Sequence, residues 1–86
     1  MTLRIETTQG HQSTIVKLIG RIQTEHLGKL RAQLDALGGS IVLDLGEVSL
    51  VNLDVVQFLG SCELQGIQLL NPSAYIRKWI DGERQH

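Results

Sequence analysis

The stretch from Ser40 to Leu59 constrains this chain more than any other. Ile41-Val42-Leu43-Asp44-Leu45 is a nearly continuous apolar run bounded by Gly39 and Gly46. It has the length of a strand and is apolar on both alternating faces, which predicts burial at the centre of a sheet. A second apolar step, Val48 to Val51, follows. Asn52-Leu53-Asp54 then leads into Val55, Val56, Phe58 and Leu59, whose spacing is helical. A buried strand feeding a turn and a helix start sets Asp54 where backbone N–H groups converge and the helix dipole is positive. A working site is expected there first.

The flanking segments supply the rest of a small layered fold. Leu3 and Ile5 alternate with Arg4 and Glu6, and Ile15 to Ile19 forms a second apolar run across the Gly10-His11-Gln12-Ser13 turn, predicting an antiparallel hairpin ended by Gly20. Thr24 is the expected N-cap of a first helix. Its stripe is Leu27, Leu30, Leu34 and Leu37, and Gly38-Gly39 terminates it. The second helix is expected to reach about Leu64, with Gly66 in the left-handed position beyond it. Ile67 and Leu69 mark a brief strand. Pro72 is read as the first residue of a last helix capped by Asn71 or Ser73, with Tyr75/Trp79 and Ile76/Ile80 as pairs four apart and Gly82 as its stop. Residues 83–86 are expected to fray. The fold class is therefore α/β: a small mixed sheet of about four strands, in the order β-β-α-β-α-β-α, with helices packed on it.

Composition bounds the function. Eighty-six residues make one domain, 1–86, that buries about 60–65% of the surface its unfolded chain exposes. With 42% hydrophobic and 20% charged residues and no apolar run near the roughly 20 residues a bilayer requires, the chain reads as a soluble domain with no membrane insertion. The first ten residues lack the apolar core of a secretory signal, and the lone Cys62 cannot form an internal disulfide, so a cytoplasmic location is expected. A net charge of −1 with one Tyr, one Phe and one Trp supports no nucleic-acid partner. His11, His26 and His86 are too scattered for a metal site, Gly38-Gly39 ends a helix and cradles no phosphate, and nothing forms a catalytic triad. No enzyme activity, cofactor or metal is expected. Ser49, Ser61 and Ser73 read first as structural residues, and Cys62 as core filling.

The element order, together with Leu18-Ile19-Gly20-Arg21-Ile22, Ile41 to Leu45 followed by Val48-Ser49-Leu50-Val51-Asn52, and Asn71-Pro72-Ser73, resembles the STAS domain of sulphate transporters and anti-sigma factor antagonists. The resemblance runs from about Ile15 to Ile80. It implies a bacterial, non-enzymatic regulatory module that docks on another protein, such as an anti-sigma factor or kinase-like regulator, and is switched by serine phosphorylation. This chain departs from that pattern. Where the antagonists read roughly Asp-Ser-Ser-Gly, it has Asn52, Leu53, Asp54 and Val55, so Asp54 replaces the phosphorylatable serine. The second helix and its connection are also shorter than usual in the family.

Asp54 is thus read either as a helix-start carboxylate accepting backbone N–H bonds or as a permanent phosphoserine mimic. The expected partner-binding residues are Ser49, Asn52, Leu53 and Asp54. A separate stripe of small residues on the first helix, Gly28, Ala32 and Ala36, is read as internal packing or as a docking or self-association face, which leaves a homodimer open. From other classes, a small-ligand or nucleotide-binding module using the second helix's N-terminus, or an accessory subunit of a larger complex such as a transporter, are the alternatives.

Overall fold

The computed structural model describes residues 3–84, with no account of the Arg84 side chain. Strands β1 (Leu3–Gln9) and β2 (Thr14–Arg21) form an antiparallel hairpin, closed where the Gly10 N–H donates to the Ser13 carbonyl at 2.8 Å. A 3₁₀ turn (Thr24–His26) opens α1 (Leu27–Leu37). β3 (Ile41–Leu50), α2 (Leu53–Leu64), β4 (Gln68–Leu70) and α3 (Ala74–Arg84) follow. The four-stranded sheet runs β1-β2-β3-β4, with β2, β3 and β4 parallel. The expected mixed α/β fold is the observed one.

Both parallel connections move the chain across the sheet in the same sense, and right-handed crossovers then place α1 and α2 on one face. α3 packs beside α2 on that side. Val16, Leu18, Leu43 and Leu45 point into the resulting core, where they meet Leu30, Leu34, Val55, Val56, Leu59, Ile76 and Ile80. Among the described residues, no helix lies over the opposite face. Ile15, Lys17, Ile19, Val42 and Asp44 are only half-buried, so β3 lies inside the sheet as expected while only one of its faces is buried. Charge occupies this open face. The Lys17 ammonium lies 2.7 Å from the Glu47 carboxylate, and that hydrogen-bonded pair, with Asp44 and Glu6 nearby, raises the lysine's pKa.

β3 is also longer than its apolar run. Gly46 does not end it but sits in an irregularity of the β2–β3 ladder, between the pairs Lys17/Asp44 and Ile19/Glu47. The Asp44 carboxylate turns back to accept the Gly46 N–H at 2.9 Å. A Cβ at position 46 would stand 3.2 Å from that same oxygen, so the spot suits glycine. Gly20, expected to end the hairpin, likewise lies inside β2, at φ 98°.

The helix ends show how local chemistry was realised. Beyond α2, Gly66 takes φ 98°, the Ile67 N–H donates to the Cys62 carbonyl at 3.0 Å, and the Gly66 N–H donates to that of Glu63 at 3.1 Å. This is the paired-bond ending that a glycine permits. At α3, Ser73 is the cap, its Oγ accepting from the Ile76 N–H at 3.3 Å, while Pro72 precedes the helix and Asn71 turns the chain at φ 56°. Gly82 lies within α3, which continues to Arg84; residues 85–86, and so part of the segment expected to fray, lie outside the described residues. Arg77 binds both Glu63 oxygens at 2.8 and 2.9 Å and Asp81 at 2.7 Å, tying α3 to α2. These carboxylates hold the guanidinium's proton more tightly than usual.

Gly66→Ala meets no atom within 4 Å, so its cost is backbone strain alone. We expect it to remove about 1 kcal/mol of stability, lowering Tm by about 4–8 °C in calorimetry, with the fold unchanged.

Candidate functional site

The carboxyl ends of β2 and β3 and the start of α2 form one rim. Here the Ile22 N–H donates to the Leu50 carbonyl at 3.0 Å, joining the two strand ends. Asn52 has extended backbone, φ −117° and ψ −178°, and its Oδ1 accepts the Val55 N–H at 3.0 Å. The N-cap of α2 is therefore Asn52, and Asp54 lies one turn position inside the helix. The expectation that the Asp54 carboxylate caps the helix by accepting backbone N–H bonds is corrected: the carboxylate instead accepts the Thr24 hydroxyl at 2.8 Å. Thr24 Oγ1 in turn accepts from Asn52 Nδ2 at 3.0 Å. Each hydroxyl has one proton to give and lone pairs to receive, so Thr24 links the two α2 residues in a single directed chain.

Thr24 is thereby a residue whose role sequence reasoning missed. Its type suggested an N-cap, yet it is the first residue of the 3₁₀ turn. That turn is held by the Gln23 N–H donating to His26 Nδ1 and by the His26 N–H donating to the Gln23 carbonyl, each at 2.9 Å. No sequence signal connects positions 28 and 30 residues apart.

The structure brings Ser49, Asn52, Leu53 and Asp54 together on this rim, all exposed. Leu50, beside them, and Leu53 itself are 49% and 44% exposed. Arg21, Ile22, Gln23, Leu50, Val51 and Asn52 line a shallow depression of about 320 Å³. The rim therefore combines two apolar contacts, one fixed carboxylate and a rigid hydrogen-bonded base.

The other sequence candidates sort differently. Gly28, Ala32 and Ala36 are exposed, and a Cβ added at Gly28 would meet nothing within 4 Å, so internal packing does not explain that glycine. Ser61 donates to the Phe58 carbonyl at 3.1 Å and Ser73 caps α3, as structural residues do. Arg31 lies over the Phe58 ring, 4.9 Å from its centre. Cys62 is buried in the core. Burial pushes its thiol pKa up to about 11, with Arg31 lowering it and Asp35 raising it by smaller amounts, so it is a poor nucleophile. Among the described residues, no group of His, Cys, Asp and Glu could hold a metal ion, and no helix is long and apolar enough to cross a membrane.

A four-stranded mixed sheet with three helices in this order is a STAS-like fold. Among solved structures, it is similar to the anti-sigma factor antagonist SpoIIAA in its unphosphorylated form. The TM-score is 0.68 at 16% sequence identity, over 94% of this chain and 81% of that one. No protein-family model and no curated protein matches the chain in sequence.

Two measurements follow. Asn52→Ala removes both the cap and the link to Thr24 and should cost about 1–2 kcal/mol, whereas Asp54→Ala, which removes an exposed bond and one first-turn charge, should cost less in parallel denaturant titrations. For Cys62, the raised folded-state pKa favours the protonated thiol. Its contribution to stability is fully present below pH 9 and is lost as pH rises toward about 11. Cys62→Ala should accordingly show a flatter fall in stability over that window than the unmodified chain.

Proposed function

We propose that this chain is a non-catalytic regulatory domain that docks on a protein partner through the rim of Ser49, Asn52, Leu53 and Asp54. The observation that carries this reading is the pair of exposed leucines, Leu50 and Leu53, beside a carboxylate held in place by Thr24. Such a patch has an apolar centre and a directional charge, the combination that protein interfaces use. Support for a regulatory role comes from the fold's likeness to an anti-sigma factor antagonist, which makes an anti-sigma factor or kinase-like cytoplasmic regulator the class of partner.

Asp54 stands where the family resemblance places a phosphorylatable serine. Its single carboxylate imitates part of a phosphoserine, which carries about −1.5 to −2 charges and three acceptor oxygens. The rim is then set permanently in one state, without a phosphorylation switch at that position. The anion-binding alternative fits less well. Asn52 already takes the Val55 N–H, and the Asp54 carboxylate would repel an anion from the same helix end.

The test is affinity capture from the native host with wild type, Asp54→Arg and Leu53→Ser as baits, each checked for unchanged circular dichroism. One protein held by wild type and lost with both variants, its purified form binding the variants at least about tenfold more weakly, is the expected result. Equal capture by all three baits would remove the rim as the interface. Phosphate found by mass spectrometry on a rim residue would contradict the fixed-state reading.

A further inference from the structure

The two edges of the sheet are built differently. β4 is three residues long and followed at once by Asn71 and Pro72, so it offers little backbone for another strand. β1 is seven residues long, pairs with β2 in unbroken register from Leu3/Gly20 to Gln9/Thr14, and contains no proline, lysine or bulge. Apart from the charges of Arg4 and Glu6, it lacks the usual devices that keep an edge strand from pairing. Beside it, Ile5, Thr7, Leu30, Ala36 and Leu37 help line a largely apolar groove of about 230 Å³ between β1 and α1. The groove lies against the free edge, and Ala36 brings one member of the small-residue stripe to it.

The charges on β1 identify what can pair there. Arg4 and Glu6 lie opposite Ile19 and Lys17, which puts both on the open face of the sheet, and they form an ion pair at 2.7 Å. Consider two copies of β1 placed antiparallel about a two-fold axis. Symmetry pairs residue n−k with n+k, so an axis through Ile5 sets Arg4 against Glu6 of the second copy and Glu6 against its Arg4. Leu3 then faces Thr7, and Ile5 meets itself on the groove side. Shifting the axis to Arg4 or Glu6 would set like charges directly opposite, which is destabilising. The strand is thus charge-complementary to itself in this register.

From this self-complementarity we infer that the β1 edge is a homodimer interface, in which two copies pair antiparallel about Ile5 and join their sheets into one continuous sheet. Each Arg4 lies between the Glu6 of its own chain and that of the second copy. The paired Ile5 side chains cover the apolar groove. Because β2 runs opposite to β1, the two β2 strands also run opposite to each other. The two rims then stand at opposite ends of the dimer, and each can receive a partner without blocking the other.

The test is sedimentation velocity from micromolar to millimolar concentration on the full chain, with circular dichroism to confirm folding. Wild type should sediment as a dimer. Arg4→Glu and Glu6→Arg, both at exposed or half-buried positions, should each weaken dimerisation by about tenfold or more, since each sets like charges opposite at both symmetry-related places. An equimolar mixture of the two variants should recover dimers. Within each variant chain the two charges are alike, so only pairing between chains can restore opposite charges. A monomeric wild type, single variants that dimerise as well as wild type, or a mixture that stays monomeric would each overturn the inference; the first would leave the edge to a strand of another protein.

Discussion

Everything about this molecule depends on the parallel pairing of β2 with β3 and the hand of the connections that leave those strands. The two crossovers carry the chain the same way across the sheet, so their helices fall on a single face. One hydrophobic core results, filled by alternate residues of the central strands and by the inner stripes of three helices. The same constraint leaves the other face without a covering layer. Alternate residues there must tolerate water, and a row of charged and half-buried apolar side chains takes their place. A chain of this size can afford one core, and this topology builds just one.

The rim follows from that arrangement. Parallel strands end at the same side of the sheet, so the segment leaving β2 and the segment leaving β3 emerge as neighbours. Thr24 in the first and Asn52 and Asp54 in the second are then close enough to share hydrogen bonds. The carboxylate of Asp54 is oriented by a hydroxyl from another element, and the helix is capped by a different residue. This separation of duties lets the carboxylate present its charge while the cap holds the helix start. Packing of α3 against α2 through Arg77 and Glu63 fixes the far side of the same helix, so the rim rests on a braced element.

The edges of the sheet carry a second, independent consequence of the topology. With β2 and β3 inside, β1 and β4 are the outer strands among the described residues, and of the two only β1 is long enough to offer a ladder to another strand. The rim and this edge are distinct surfaces, one at the strand ends and one along the hairpin.

Much of this was legible in the sequence because it depends on short-range chemistry. The leucine stripe of α1, the Gly10 to Ser13 turn, the glycine at φ 98° after α2 and the apolar run of β3 are set by periodicity and by residues that permit particular backbone angles. That a helix starts just after Asn52 was legible for the same reason. What only the tertiary structure decided is which side of β3 is covered, that its ladder continues past Gly46, and that Thr24 holds the Asp54 carboxylate. These features depend on strand register and crossover hand, which bring together residues 28 and 30 positions apart, and no local pattern of apolar or capping residues specifies such a meeting.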